Sequence, residues 1–265
     1  MSDVRPSPGL SILKGHLWLV YAFLYIPILV LMALSFNEIG LPTAWGGFST
    51  KWYGVLWEND AVLMAARNTL IVALVSTILA TLIGTLLAIG VERRQKPSSA
   101  MEVLLFAPMI IPDIVLAIAL LSLFTLLNFT LGLHSIILSH VVFNIAFVCA
   151  VVRARLKNFD FSILEASVDL GANEFTTFRR VTLPAIFPGV LAGGLLAFTL
   201  SIDEFIIAFF TAGAGPSWTT LPMQIYSMIR FGVTPEINAM ATIVMMVSFT
   251  LVLLSQRINR GSVTR

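Results

Sequence analysis

Charge is what this sequence has least of. Only 11% of its 265 residues are Asp, Glu, Lys or Arg, 58% are hydrophobic, and the mean hydropathy is +0.94. A water-soluble domain carries about twice that charge, so a soluble globular protein is excluded and an integral membrane protein is expected. The single cysteine, Cys149, excludes an intramolecular disulfide and leaves the redox compartment open; inert packing is its expected role. No Gly-x-x-x-x-Gly-Lys-Ser/Thr run occurs, so any ATP must be handled by another chain. No basic cluster is interleaved with aromatics, which argues against a nucleic-acid surface for the net charge of +2. Neither metal-ligand spacing nor a nucleophile–base pair is visible, so no catalytic residue, metal or resident cofactor is expected. Internal repeats and low-complexity stretches are lacking too, leaving one membrane domain.

What is present is a series of long apolar runs. A helix needs about 20 apolar residues to cross a hydrocarbon core of about 30 Å. Six runs qualify, at roughly His16–Phe36, Arg67–Val91, Met101–Leu127, His134–Val152, Phe187–Ala212 and Ile237–Ser255. The first is longer than the roughly 7–15 residues of a signal-peptide core, so it is expected to stay in place despite a weak cleavage-like Ala33-Leu34-Ser35. With these spans drawn, Arg5, Lys14, Arg93, Arg94, Lys96, Arg153, Arg155, Lys157, Arg179, Arg180, Arg257, Arg260 and Arg265 fall on one side. Lys51, Arg67 and Arg230 fall on the other. Positive charge stays inside, which predicts that both termini are cytoplasmic and that segments 37–66, 128–133 and 213–236 face out.

The outer segment 37–66 combines Pro42, Gly46, Gly47 and Gly54 with Trp45, Trp52, Tyr53 and Trp57. An aromatic belt at headgroup level accounts for it; a contact surface for an outer partner or substrate is the sharper alternative. Segment 213–236, with Gly213, Gly215, Pro216, Pro222 and Pro235, predicts a short re-entrant or interfacial turn.

Three acids fall where the bilayer should be: Asp113, Asp203 and Glu204. A carboxylate at mid-membrane costs about 2.5–3.5 kcal/mol even on lenient insertion scales, so such acids usually face a cavity and have a function. Asp113 follows Pro108 and Pro112 in "APMIIPDIVLAI". Pro112 has no N–H for the carbonyl of residue 108, so this helix should bend or open there, beside a pathway or as a plain kink. At about 1.5 Å per residue, Asp113 lies roughly 18 Å and Asp203 roughly 24 Å from the inner ends of their helices, close enough in depth for one cavity. Asp203 is favoured for the cavity and Glu204 for its edge, because helical neighbours point about 100° apart. A salt bridge to Arg67 is the structural alternative. Tyr226 and Trp52 are secondary candidates for substrate contact, while His140 and Asn144 are expected to be satisfied hydrogen bonders between helices.

The longest inner segment, "RARLKNFDFSILEASVDLGANEFTTFRRVTLPAIFP", is organised. Ser162 with Glu165 suggests a capping box, Gly171 a left-handed terminus, and Asn173 the cap of a second short helix that closes with Arg179 and Arg180 and stops at Pro184. A helix this short is unstable alone, so Ile163, Leu164, Val168 and Leu170 must rest on the membrane surface or dock in a soluble partner.

Here the residues resemble a known family. Glu165-Ala166-Ser167, Gly171 three residues on, and Val181-Thr182-Leu183-Pro184 after nine more are similar to the EAA loop of ABC-importer permeases, with Ser167 for Ala and Val181 for Ile. The resemblance covers about residues 65–255 in topology. It implies an all-α integral membrane protein of the type I ABC-importer permease (methionine-importer-like) fold, with six transmembrane helices in a bacterial inner (plasma) membrane. Residues 1–15 and 258–265 would be cytoplasmic tails and 16–257 the permease domain. Glu165, Ala166, Ser167, Gly171, Val181, Leu183 and Pro184, within the loop 162–184, would transmit the closure of a dimeric ATPase. ATP and Mg would bind that subunit, and a second permease chain and a periplasmic or extracellular solute-binding protein would complete the importer.

"IPDIVLAIALLSLF", "LSIDEFIIAFF" and "LPMQIYSMIRFGVTPEINAMATI" further resemble the second permease subunit of spermidine/putrescine importers, where position 204 is commonly Asp. This implies a polyamine substrate, which suits a cavity of carboxylates and aromatics. Permeases for other amines, opines and phosphonates share the scaffold. An ion-coupled secondary transporter, in which Asp113 or Asp203 binds the coupling ion, and a non-transporting scaffold are the readings outside this family.

Overall fold

A computed structural model describes residues 8–40, 44–93, 98–157, 159–230, 232 and 234–262, with backbone alone at 8–11, 248 and 251–262. Arg5, Pro42, Arg94, Lys96 and Arg265, used above for orientation and segment character, lie outside the described residues. In chain order the helices are α1 (Pro8–Leu34), α2 (Lys51–Glu58), α3 (Asp60–Arg93), α4 (Ser99–Ile110), α5 (Asp113–Leu126), α6 (Leu133–Leu156), α7 (Ser162–Asp169), α8 (Glu174–Thr177), α9 (Leu183–Asp203), α10 (Ile206–Thr211), α11 (Leu221–Ile229) and α12 (Pro235–Ser262).

Among the described residues four helices are long and apolar enough to cross a bilayer: Ile12–Leu34, Asp60–Arg93, Leu133–Leu156 and Glu174–Asp203. α4 and α5 make a fifth span if that pair counts as one. The expected sixth falls in α12, whose described apolar stretch is Pro235–Val247.

The chain divides into two compact units, Met1–Leu63 with Ile225–Arg265, and Met64–Gln224. In the first, α12 packs on α1 and α2. Its turn is organised by Asn37, which is fully buried. Asn37 Nδ2 donates to Ala44 O at 2.7 Å, its Oδ1 accepts from Gly46 N at 2.9 Å, and its carbonyl accepts from Trp52 Nε1 at 2.8 Å. Ser35 Oγ donates its one proton to Met32 O at 2.6 Å, so the Tyr53 hydroxyl, 2.8 Å away, must be the donor to Ser35. The segment is therefore tied by hydrogen bonds as well as lined with aromatics.

The second unit is built on α6. Glycines let the flanking helices approach it closely: a Cβ on Gly193 would lie 3.4 Å from Val148 Cα, and one on Gly84 only 2.9 Å from Val148 Cβ. Ala80, Ala88, Val148, Cys149, Val152, Leu156, Ile186 and Ala197 form the core thus enclosed, so Cys149 packs as expected. A second core joins Ala117, Leu120 and Phe124 of α5 with Phe143 of α6 and Ile207 of α10.

The expected bend at Pro112 is found, and it is sharp: α4 and α5 meet at 108°. A second break was not expected. Instead of running on through Phe187–Ala212, α9 ends at Asp203, Glu204 takes an extended conformation (ψ 114°), and α10 starts at Ile206.

Two expectations for the inner loop are corrected. Ser162 is the first residue of α7 rather than its cap; the Asp160 carboxylate accepts the Ser162 amide proton at 3.0 Å. Pro184 does not stop the second helix. α8 runs through a π turn, Phe178–Thr182, directly into α9, giving one helical stretch from Glu174 to Asp203. In that turn Leu183 N–H bonds Phe178 O, five residues back. The widened turn absorbs the register mismatch that a proline ring and its missing donor would impose on a plain α-helix. Gly171 has the expected positive φ of 83°, and Asn173 Oδ1 caps α8 through the Thr176 amide at 2.8 Å.

Candidate functional site

The two helix breaks bring the membrane acids together. Pro112 ends one interruption and Asp113 opens α5 in its first turn. Glu204 closes the other, with its Oε1 accepting the Ile207 amide proton at 2.7 Å at the start of α10. α10 packs on α5, with Ile207 against the apolar face of Ala117 and Leu120. Glu204 thus lies where the charges of both Asp113 and Asp203 act on it. The Asp113 and Glu204 side chains are half-buried, while Asp203 is exposed. Among the described residues the ion pairs are those of Arg153 with Glu92 and Glu102, so the expected alternative of an Arg67 salt bridge to Asp203 is not formed. Three carboxylates share one neighbourhood, and among the described residues none of them is ion-paired.

The sequence predicts Glu204 at the edge and Asp203 in the cavity. The geometry gives them different work: Glu204 is occupied as a helix cap, whereas Asp203 is exposed and has no ion partner among the described residues. Trp52 and Tyr226 belong to the other unit. Trp52 spends its indole N–H on Asn37 O, and the Lys51 ammonium sits over its ring at 4.8 Å from the centroid, so this face already holds an alkylammonium. Tyr226 is exposed on α11.

His140 and Asn144 are both buried on α6, but only His140 is bonded as expected, its Nδ1 lying 2.7 Å from Ser201 Oγ. Asn144 Nδ2 and Oδ1 have no hydrogen-bond partner among the described residues, which corrects the expectation for that residue.

The inner loop forms a separate surface. Ser167 Oγ and Thr177 Oγ1, 2.9 Å apart, join α7 to α8. Against this joint lie two clefts. One of about 550 Å³ is lined by Leu164, Glu165, Val168, Asp169, Glu174 and Arg93, and another of about 330 Å³ by Ile163, Ala166, Ser167, Leu170, Arg180 and Val181. Ile163, Val168 and Leu170 remain exposed, Leu170 at 89%, and so does Phe175, a residue that the sequence reading passed over. An aromatic next to Glu174, in the first turn after the Asn173 cap, was the available signal: the short segment ahead of Pro184 has no core of its own to bury one.

Comparison with known proteins identifies the family of the chain. Residues 80–265 match the family described as the inner membrane component of binding-protein-dependent transport systems. The chain is 46% identical, over 93% of both chains, to the spermidine/putrescine transport system permease protein PotC of Escherichia coli (strain K12). It is 41% identical to the putrescine transport system permease protein PotI of the same strain, covering 86% of this chain and 84% of that one. Among solved structures, a bacterial ABC transporter involved in the import of the acidic polysaccharide alginate has a similar fold, with a TM-score of 0.75 at 17% identity over 95% of this chain and 94% of that one. An inward-facing MetNI methionine ABC transporter matches with a TM-score of 0.62 at 17% identity, covering 78% of this chain and 97% of the other.

Proposed function

The chain belongs to the family of inner membrane components of binding-protein-dependent transport systems, and from that premise we propose that it is the permease subunit that passes polyamine cations inward in an ATP-driven importer. The relatives named for spermidine and putrescine transport support the substrate class. The observation that carries the proposal to particular residues is the meeting of Asp113, Asp203 and Glu204 at two helix breaks with no cation paired to them among the described residues. Unpaired carboxylates in a low-dielectric setting attract an elongated cation, and each ammonium it brings supplies the missing counter-charge.

The wider architecture follows from the same reading. Six spans place both termini and the loop 162–184 in the cytoplasm. Residues Glu165 to Pro184 then engage the ATPase subunits, which bind ATP and Mg. A second permease chain and an outer binding protein complete the complex. Because α8 continues through the π turn into α9, a push on the loop is delivered along one helical rod to Asp203, which suits alternating access. Trp52, whose ring already holds the Lys51 ammonium, and Tyr226 are secondary candidates for contact with an arriving cation.

The test is uptake of labelled spermidine by cells that depend on this importer, with Asp113→Asn, Asp203→Asn and a deletion of 162–184. Each carboxamide is expected to lower uptake at least tenfold at low spermidine, and the deletion to abolish it while the permease still reaches the membrane. Unchanged uptake in both carboxamide variants rejects the carboxylate site.

A further inference from the structure

The substrate reading leaves unused a set of polar side chains on α6. Ser135, Ser139, His140 and Asn144 are at most 1% exposed, and polar groups buried at this depth usually have a task. Two of them reach the broken helix on either side of its break. His140 Nδ1 lies 2.7 Å from Ser201 Oγ, in the last turn of α9. Ser135 Oγ lies 2.6 Å from Thr211 O, at the end of α10, the nearer of two carbonyls that share its proton, the other being Gly132 O at 2.8 Å. Both halves of the interrupted helix are therefore fixed to one continuous helix, with Glu204 between the two points of attachment.

The inner attachment runs on to α3: Ser201 Oγ also lies 3.0 Å from Ser76 Oγ, so Ser201 bridges His140 and Ser76. His140 Nε2 is without a partner among the described residues, so Nδ1 carries the hydrogen bond that this side chain makes there. The result is a hydrogen-bonded chain from α6 through α9 to α3.

We propose that His140, bonded through Nδ1 to Ser201, is a positioning residue that, with Ser135, holds the break so that Glu204 and Asp203 keep their places in the carboxylate cluster. The inference deepens the polyamine reading and rests on it for its functional consequence, though not for its geometry.

Two substitutions separate this role from simple space-filling. Asn places an amide N–H near the position of Nδ1; Gln matches the histidine volume better but carries its amide one bond further out. A hydrogen-bonding role at Nδ1 therefore favours Asn, and a packing role favours Gln. His140→Asn, His140→Gln and Ser201→Ala would be compared in the assembled complex in lipid nanodiscs. One readout is deuterium exchange of the amides in 204–211, which include the Ile207 amide held by Glu204. The other is spermidine stimulation of ATP hydrolysis. Loss of one buried hydrogen bond should speed exchange about five- to tenfold and raise the half-stimulating spermidine concentration by a similar factor in the Gln and Ala variants, with the maximal rate little changed. The Asn variant should stay within about twofold of the parent on both readouts. Equal behaviour of Asn and Gln, or unaltered exchange in Ser201→Ala, overturns the proposal. Should His140→Gln not assemble, Ser201→Ala carries the test with His140→Asn as its control. Asp203→Asn is measured alongside: if it leaves spermidine stimulation intact while the exchange pattern holds, the substrate site is wrong and the positioning role stands.

Discussion

Glu204 Oε1 accepts the Ile207 amide proton at 2.7 Å, so a carboxylate that is expensive in the membrane is also the cap of the helix that follows it. A cap is worth about 1 kcal/mol, and a negative charge at a helix N-terminus about 0.3–1 kcal/mol more. Against an insertion cost of about 2.5–3.5 kcal/mol, these terms offset about half of the cost of Glu204. Asp113, in the first turn of α5, gains the dipole term alone. Asp203 ends α9, where the dipole is unfavourable to an anion, and is unpaired among the described residues. Asp203 is thus the acid whose presence structure explains least and function must explain most.

Glu204 can be divided into its two roles by substitution. Glu204→Gln keeps an oxygen for the Ile207 amide and removes the charge; Glu204→Ala removes both. Spermidine uptake is expected to fall about tenfold in each, since each loses one counter-charge to the cation. Thermal unfolding of the purified complex should be near the parent for Gln and lower for Ala, by the equivalent of about 1 kcal/mol. Equal destabilisation by the two variants would show that the cap is unimportant.

The two helix breaks differ in how far they could be foreseen. Pro112 announces its own break because the ring lacks the donor that the helix needs. "SIDEF" contains no such breaker, and its hydrophobic flanks suggested one continuous span. The available clue was Glu204 three residues before Ile207, the spacing at which a side-chain acceptor reaches an orphan amide at a helix start. Pro184 was misleading for the opposite reason: a local breaker was overridden by the π turn at Phe178–Thr182. Gly171 and Asn173 were legible because a left-handed terminus and a short polar cap are local properties, whereas the meeting of Asp113 with Glu204 depends on packing between α5 and α10.

The exposed apolar residues of the inner loop should matter to assembly and not to folding. Val168→Asp and Phe175→Asp add charge to a surface that is already open, so each is expected to change the stability of the isolated permease by less than about 0.5 kcal/mol. Copurification of the ATPase subunit should be lost or reduced at least tenfold, as expected for hot-spot residues in a docking patch. Full recovery of the ATPase with both variants would move the contact elsewhere.

Asp160 gives the loop a defined pH response. The hydroxyl and then the amide of Ser162 hold its carboxyl below the ordinary value of 3.8. A group with a depressed folded value adds stability that is present above 3.8 and lost only as pH falls through the lower folded value. Between about pH 5 and 8 Asp160 stays ionised, so this contact contributes no pH dependence to ATPase docking there. At pH 7, Asp160→Asn, which keeps an acceptor oxygen, should retain docking, and Asp160→Ala should weaken it. Binding assays across that range check both statements; a titration near neutrality that vanishes in Asp160→Asn would contradict them.

The approach of α3 and α9 to α6 makes two glycines unequal. At Gly193 an added methyl would meet Val148 Cα at 3.4 Å, an ordinary contact, so Gly193→Ala should be tolerated and should gain about 0.5–1 kcal/mol of helix propensity. At Gly84 the same methyl would lie 2.9 Å from Val148 Cβ and 3.0 Å from the backbone oxygen of Ile145. Val148 is β-branched and fully buried, and a carbonyl in a packed helix cannot step aside alone, so α3 itself must move. Gly84→Ala should therefore lower stability by about 1–3 kcal/mol despite alanine's better propensity. Thermal unfolding of the two variants in the same detergent measures the contrast. If Gly84→Ala proves as stable as Gly193→Ala, the close packing of α3 against α6 is not as described. If the contrast holds, the glycines in these apolar helices mark which faces turn inward, a distinction that hydropathy alone cannot make in a chain whose lipid-facing and core-facing residues are equally apolar.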